Sequence, residues 1–157
     1  MPGKFVDLFL IPQVWTFLGA ATAFPVAALG SSRGCGIAGQ AAAGVVAEDP
    51  SKFGRCMVLQ ALPSTQAMYG FVIAFFILGK LSDSLTLQQG LSLFATGLPA
   101  GIVGYVSALF QGKVATAGIH LIAKRPENLV SAIIFSLMVE LFAILAFVIS
   151  ILMIGRI

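Results

Sequence analysis

The sequence predicts an all-α membrane protein whose four transmembrane helices form two tandem, duplicated helical hairpins. Three observations predict it. Of 157 residues, 59% are hydrophobic and only 10% charged, against the roughly 25% charged residues of soluble domains. The few charges and turn signals divide the chain into four apolar stretches, each longer than the about 20 residues that cross a bilayer. The second half also repeats the first. A shift of 76 residues aligns Asp49-Pro50-Ser51 with Arg125-Pro126-Glu127 and Gly70-Phe71-Val72-Ile73 with Ala146-Phe147-Val148-Ile149.

The first span is expected over residues 13–46 and the second over 55–80, closing a first hairpin within 1–81. The third span is expected over 88–123 and the fourth over 129–154, in a second hairpin within 82–157. A shift of 78 aligns Arg33-Gly34 with Gln111-Gly112, so the first hairpin carries two extra residues near its loop. Both repeats run in the same direction, which marks a duplicated hairpin and not an inverted repeat.

Spans one and three are rich in small residues: Gly30, Gly34, Gly36, Gly39 and Gly44, then Gly97, Gly101, Gly104, Gly112 and Gly118. Glycine destabilises an isolated helix by about 1 kcal/mol per position, and close helix packing compensates. Spans two and four carry bulky runs such as Phe71–Ile77 and Leu141–Leu145, suited to lipid. An inner layer of spans one and three and an outer layer of two and four follow. Lys52 and Arg55 flank the first Pro-containing loop and Lys124 and Arg125 the second, against Lys4, Lys80 and Arg156 at the other end. By the positive-inside rule both loops face the cytoplasm and the termini lie outside.

No segment remains for a nucleotide-hydrolysing domain, so energy must come from a partner or an ion gradient. The net charge of +3 is spread over helix ends without a patch, which argues against nucleic acid. Cys35 and Cys56 fall inside apolar helices and read as small buried side chains, giving no disulfide framework or thiolate metal site. Lys4 followed by an apolar run resembles a secretory signal, but cleavage would strip the first hairpin of its partner helix. His120, Arg33 and Lys113 are expected near the loop-side interface, the long basic chains reaching toward the headgroups. No phosphate loop, nucleophile with its base, or ligand cluster supports enzymatic catalysis.

One residue stands apart. Asp7, Glu48, Asp49, Asp83 and Glu127 lie in the terminal arm or loops, whereas Glu140 sits mid-span within Met138-Val139-Glu140-Leu141-Phe142. An ionisable group at that depth is expensive and marks function by default. Gln66 and Gln111 share its depth, about 17–20 Å from the loop side at 1.5 Å per residue. Leu62, Thr65, Gln66 and Tyr69 fall at i, i+3, i+4 and i+7 and share one helical face. Pro63 weakens the helical ladder beside them, which adds the Leu62 carbonyl to the candidate donors. The set offers hard oxygens: the Glu140 carboxylate, the Gln66 and Gln111 amides, the Thr65 hydroxyl and the Leu62 carbonyl. Such donors suit a hard cation, with Tyr69 placed to donate to Glu140. Two readings stand: glutamines that join helices around a silent protonated acid, or an ion site. The carboxylate at matching depth favours the second.

The run Leu59-Gln60-Ala61-Leu62-Pro63-Ser64-Thr65-Gln66-Ala67-Met68-Tyr69-Gly70-Phe71, with Ala108–Ala115 and Val139–Leu145, resembles the rotor proteolipid of V-type ATPases, in its sodium-pumping bacterial form. The likeness extends over nearly the whole chain. It implies a membrane-embedded ring of identical subunits in a bacterial cell membrane, turning against a stator membrane subunit and meeting central-stalk subunits at the cytoplasmic loops. It implies no catalytic residue and no cofactor in this chain. It further implies that Na+ is the carried ion, held by Leu62, Thr65, Gln66, Gln111 and Glu140 and steadied by Tyr69. Ser64 stands opposite Glu140 under the 76-residue shift, matching one carboxylate per duplicated subunit. Leu141 departs from the threonine of the sodium-pumping pattern and leaves H+ as the alternative cargo. From another class, a stand-alone four-helix channel or assembly protein remains the competing expectation.

Overall fold

The computed structural model describes residues 7–157; Lys4, counted above for orientation and for the signal-like start, lies outside them. Five long elements follow in order: α1 (Pro12–Glu48), α2 (Phe53–Ala61), α3 (Thr65–Gly79), α4 (Leu87–Lys124) and α5 (Leu129–Ile154). Three-residue 3-10 turns at Pro50–Lys52, Leu62–Ser64 and Pro126–Asn128 connect or interrupt them. The 3-10 turn at Leu62–Ser64 joins α2 to α3, so that Pro50–Gly79 forms one span. The four spans are Pro12–Glu48, Pro50–Gly79, Leu87–Lys124 and Pro126–Ile154, each long and apolar enough to cross a membrane. The chain is a multi-pass membrane protein.

Element ends follow local chemistry. Pro12, Pro50 and Pro126 open their elements at first-turn positions, where the missing N–H is no loss. Asp49 caps the first loop: its carboxylate accepts from the Ser51 hydroxyl at 2.6 Å and the Ser51 N–H at 3.1 Å, and Lys52 lies 3.3 Å away. These partners, the Ser51 hydroxyl foremost, hold the Asp49 carboxyl below its ordinary value. Thr86 and Gln89 form a reciprocal capping box at the start of α4. Lys52 also donates to the Ala123 carbonyl at 2.8 Å, tying the two loop ends together.

The two long helices α1 and α4 run parallel and pack along most of their length. The residues that meet are those equated by the duplication. A Cβ added at Gly112 would come within 2.5 Å of Gly34 Cα, and one at Gly97 would strike the Gly19 carbonyl. Gly101 rests on Thr22 and Gly90 on Pro12 in the same register. Backbones this close allow no side chain between them, which is the physical use of these glycines. Not every glycine serves that contact. Gly39 faces the Gln60 side chain, and nothing lies within 4 Å of a Cβ at Gly36 or Gly44.

Spans two and four pack against the α1–α4 pair and send their bulk outward: Phe71 is 56% exposed, Phe75 66% and Phe142 62%. Two apolar clusters fill the space between the layers. The loop-side one centres on Leu59, Ile119 and Ile122, and the terminal-side one on Ile73, Ile77 and Leu93. The site lies between them. Cys35 and Cys56 are free thiols, and Cys56 is buried in the loop-side cluster. The Arg33 guanidinium bonds the Tyr105 hydroxyl and lies 5.7 Å from the centroid of that ring.

Candidate functional site

Pro63 shapes the site from the backbone up. It has no N–H to donate and its ring crowds the preceding turn, so the α-helical ladder stops at Ala61 and resumes at Thr65. The intervening turn redirects the chain locally. The Leu62 carbonyl accepts both the Thr65 N–H and the Thr65 hydroxyl, the latter at 3.1 Å. The hydroxyl spends its proton there and keeps its lone pairs free.

Gln66 and Gln111 are fully buried, and Glu140 is 4% exposed. The Tyr69 hydroxyl donates to Glu140 Oε1 at 2.7 Å, and its ring leans on Phe147 with centroids 5.2 Å apart. Gln111 Nε2 donates to Glu140 Oε2 at 3.2 Å and to the Ser136 carbonyl at 3.3 Å. Gln111 Oε1 accepts from Gln66 Nε2 at 2.5 Å. A connected line thus runs from span two through span three to span four, with every member in one chain. Thr65 lies within reach of the Tyr69 hydroxyl, beside the Glu140 carboxylate, with the Leu62 carbonyl behind it.

Two serines unremarked in the sequence complete the network. Ser107 accepts from Gln66 Nε2 at 3.3 Å and donates to the Val139 carbonyl at 3.0 Å, binding α4 to α5 beside the carboxylate. Ser136 supplies the carbonyl that holds Gln111. Each lies four positions before a recognised polar residue, Gln111 or Glu140, and so on the same helical face; that spacing was the available signal. Leu141 is 47% exposed on the outer side of α5.

Among the described residues, two buried side-chain atoms have no partner: Gln66 Oε1 and Ser136 Oγ. Burying an unpaired acceptor costs about 1–3 kcal/mol. A bound cation is one species that satisfies an amide oxygen in that state. The site therefore offers a carboxylate, two amides, a hydroxyl and a carbonyl, all oxygen donors of the kind hard cations prefer. Among the described residues no cluster of histidine, cysteine and carboxylate side chains offers a competing metal centre.

Comparison with known proteins agrees with the duplication. The family model for the ATP synthase C-subunit matches twice, over residues 18–77 and 94–153. The chain is 46% identical to the V-type sodium ATPase subunit K of Enterococcus hirae over 150 residues, covering 93% of this chain and 96% of that one. It is 42% identical to the A-type ATP synthase subunit K of Methanocaldococcus jannaschii over 142 residues, covering 90% of this chain and 62% of the relative. It is 28% identical to the V-type proton ATPase 16 kDa proteolipid of Nephrops norvegicus over 136 residues, covering 85% of this chain and 86% of the relative.

Proposed function

The chain belongs to the ATP synthase C-subunit family, and on that premise we propose that it is the rotor-ring subunit of a V-type ATPase, carrying Na+ across a bacterial cell membrane on Glu140. The observation that carries the reading is the buried Glu140 carboxylate at one end of a polar line whose other end leaves Gln66 Oε1 unpaired. Leu62, Thr65, Gln66, Gln111 and Glu140 hold the ion with their oxygens, and Tyr69 steadies the carboxylate. The chain itself is non-catalytic; hydrolysis of ATP belongs to partner subunits.

The cycle follows from the expense of a bare charge in lipid. A charged side chain at the centre of a membrane helix costs about 2.5–3.5 kcal/mol on insertion scales. An ion entering from a half-channel of the stator neutralises Glu140, and the filled subunit then turns through lipid as the ring rotates. A cation on the stator displaces the ion at the exit; Arg33, held by Tyr105, is not placed for that task. The ring consists of identical copies, with the two Pro-containing loops cytoplasmic against central-stalk subunits and the termini outside. A proton is the second candidate cargo, because protonation also neutralises Glu140 and one of the similar proteins is the proteolipid of a V-type proton ATPase.

Carbodiimide labelling of the purified ring, with and without Na+ across pH, tests site and ion together. Glu140 is expected to be modified, and Na+ to protect it. Absence of protection at every pH refutes sodium. Recovery of a small complex free of ATPase subunits, together with full ion pumping by Glu140→Gln, refutes the rotor reading in favour of a channel or assembly protein.

A further inference from the structure

Ser31 lies in α1 and is absent from the ligand set, yet it is buried at 4% exposure and reaches across to span two. Its hydroxyl accepts the backbone N–H of Ala67 at 3.0 Å. Ala67 is the third residue of α3, one of the first-turn donors that a helix start leaves unpaired. The residue at the head of α3, Ser64, turns its own hydroxyl back to the Ala61 carbonyl at 2.6 Å and makes no cap. The new helix start, forced by Pro63, is therefore capped from a different helix. Three positions along α1, Gly34 lets the Pro63 ring approach so closely that a Cβ would lie 2.9 Å from Pro63 Cβ. Ser31 and Gly34 grip the 3-10 turn from one side.

We propose that Ser31 is a positioning residue for ion binding: by capping Ala67 it fixes where α3 begins and so holds Thr65 and Gln66 at their orientation toward Gln111 and Glu140. The inference rests on the ion-site reading above. Without the hydroxyl, the Ala67 N–H is satisfied by continuing the α-helical ladder back to the Pro63 carbonyl. That change winds the turn and rotates Thr65 and Gln66 off the site.

The test compares rings carrying Ser31→Ala, Ser31→Thr and Ser31→Val, each purified as an assembled ring, by the Na+ concentration that half-protects Glu140 from carbodiimide. Thr and Val are nearly equal in size and differ by the hydroxyl, so the pair separates bonding from bulk. Loss of one buried hydrogen-bond acceptor predicts a midpoint raised about ten-fold for Ala and Val, with Thr near the native value. Equal shifts for Thr and Val, or a native midpoint for Ala, overturn the proposal. The unsubstituted ring reports separately on the ion-site reading. If Na+ gives it no protection, sodium is refuted, and the pH midpoint of labelling becomes the quantity that Val must shift and Thr must not.

Discussion

Replacing Gln66 by leucine separates holding the bundle together from holding an ion. Gln66 is fully buried and donates through Nε2 to Gln111 Oε1 at 2.5 Å and to Ser107 Oγ at 3.3 Å, while its own Oε1 has no donor. Gln66→Leu therefore deletes two interhelical hydrogen bonds, worth about 0.6–1 kcal/mol each inside a membrane bundle. It also removes an unpaired buried acceptor, which returns about 1–3 kcal/mol, but it leaves the buried Gln111 Oε1 without its donor, which costs a similar amount. Leucine occupies a similar volume, so no large cavity is added. The two unpaired-acceptor terms offset, and the sum predicts that the sodium-free ring loses about 1–2 kcal/mol of stability. With Na+ at a hundred times its dissociation constant, the native ring gains about 2.7 kcal/mol by mass action, and the variant, lacking a ligand, should gain almost nothing. Thermal dissociation of the detergent-purified ring, measured with and without Na+, reads both quantities. An unchanged sodium-dependent gain in Gln66→Leu would show that Gln66 is no ligand. A ring that falls apart without sodium would show that the hydrogen-bond arithmetic is wrong.

Glu140→Gln is expected to abolish both carbodiimide labelling and sodium protection while the ring still assembles, since a carboxamide oxygen can keep the Tyr69 hydrogen bond; gel filtration beside labelling checks it. Gly34→Ala should weaken the α1–α4 contact by about 1–3 kcal/mol, the range for overpacking, because the added methyl meets the Ala108 carbonyl and Pro63. Gly36→Ala, with open space around it in the chain, should leave the fold of the chain intact or gain up to about 1 kcal/mol from helix propensity; thermal melts of the two variants give the contrast. Asp49 supplies a pH prediction. Its folded-state carboxyl lies below the ordinary value of 3.8, so its support of the first loop is present above that value and is lost as pH falls through the lower folded one. Hydrogen exchange at the Ser51 amide should thus stay slow at mildly acidic pH and quicken only below the ordinary aspartate range, whereas Asp49→Asn should exchange faster throughout.

Much of this molecule was legible in its sequence because a bilayer removes most alternatives. Apolar runs of sufficient length must be helices where no water can satisfy the backbone. The expected 13–46, 55–80, 88–123 and 129–154 therefore fall within a few residues of Pro12–Glu48, Pro50–Gly79, Leu87–Lys124 and Pro126–Ile154. Glu140, Gln66 and Gln111 were conspicuous for the same reason: a polar group in hydrocarbon carries a penalty that calls for a partner at the same depth. Tyr69 was reachable from its place on the Leu62–Thr65–Gln66 face.

Serines and single contacts were not legible. A hydroxyl in a membrane helix can satisfy itself on a carbonyl three residues back in its own helix, as Thr22, Ser32 and Ser64 do, so Ser31 carries no outward sign of reaching another helix and Ser107 only its spacing from Gln111. Only the packing of α1 against α3 and of α4 against α5 shows that Ser31 takes the Ala67 amide and that Ser107 joins Gln66 to Val139. The glycines divide the same way. Composition shows that some must pack, but the register of two parallel helices decides that Gly34 meets Gly112 while Gly36 and Gly44 face open space. Likewise Arg33 is drawn to Tyr105 and Leu141 faces outward because of what surrounds them. Sequence alone determined which groups cannot be left unpaired in a membrane; tertiary structure decided which partner each one finds, since a hydrogen bond depends on a fraction of an ångström that only the packed helices set.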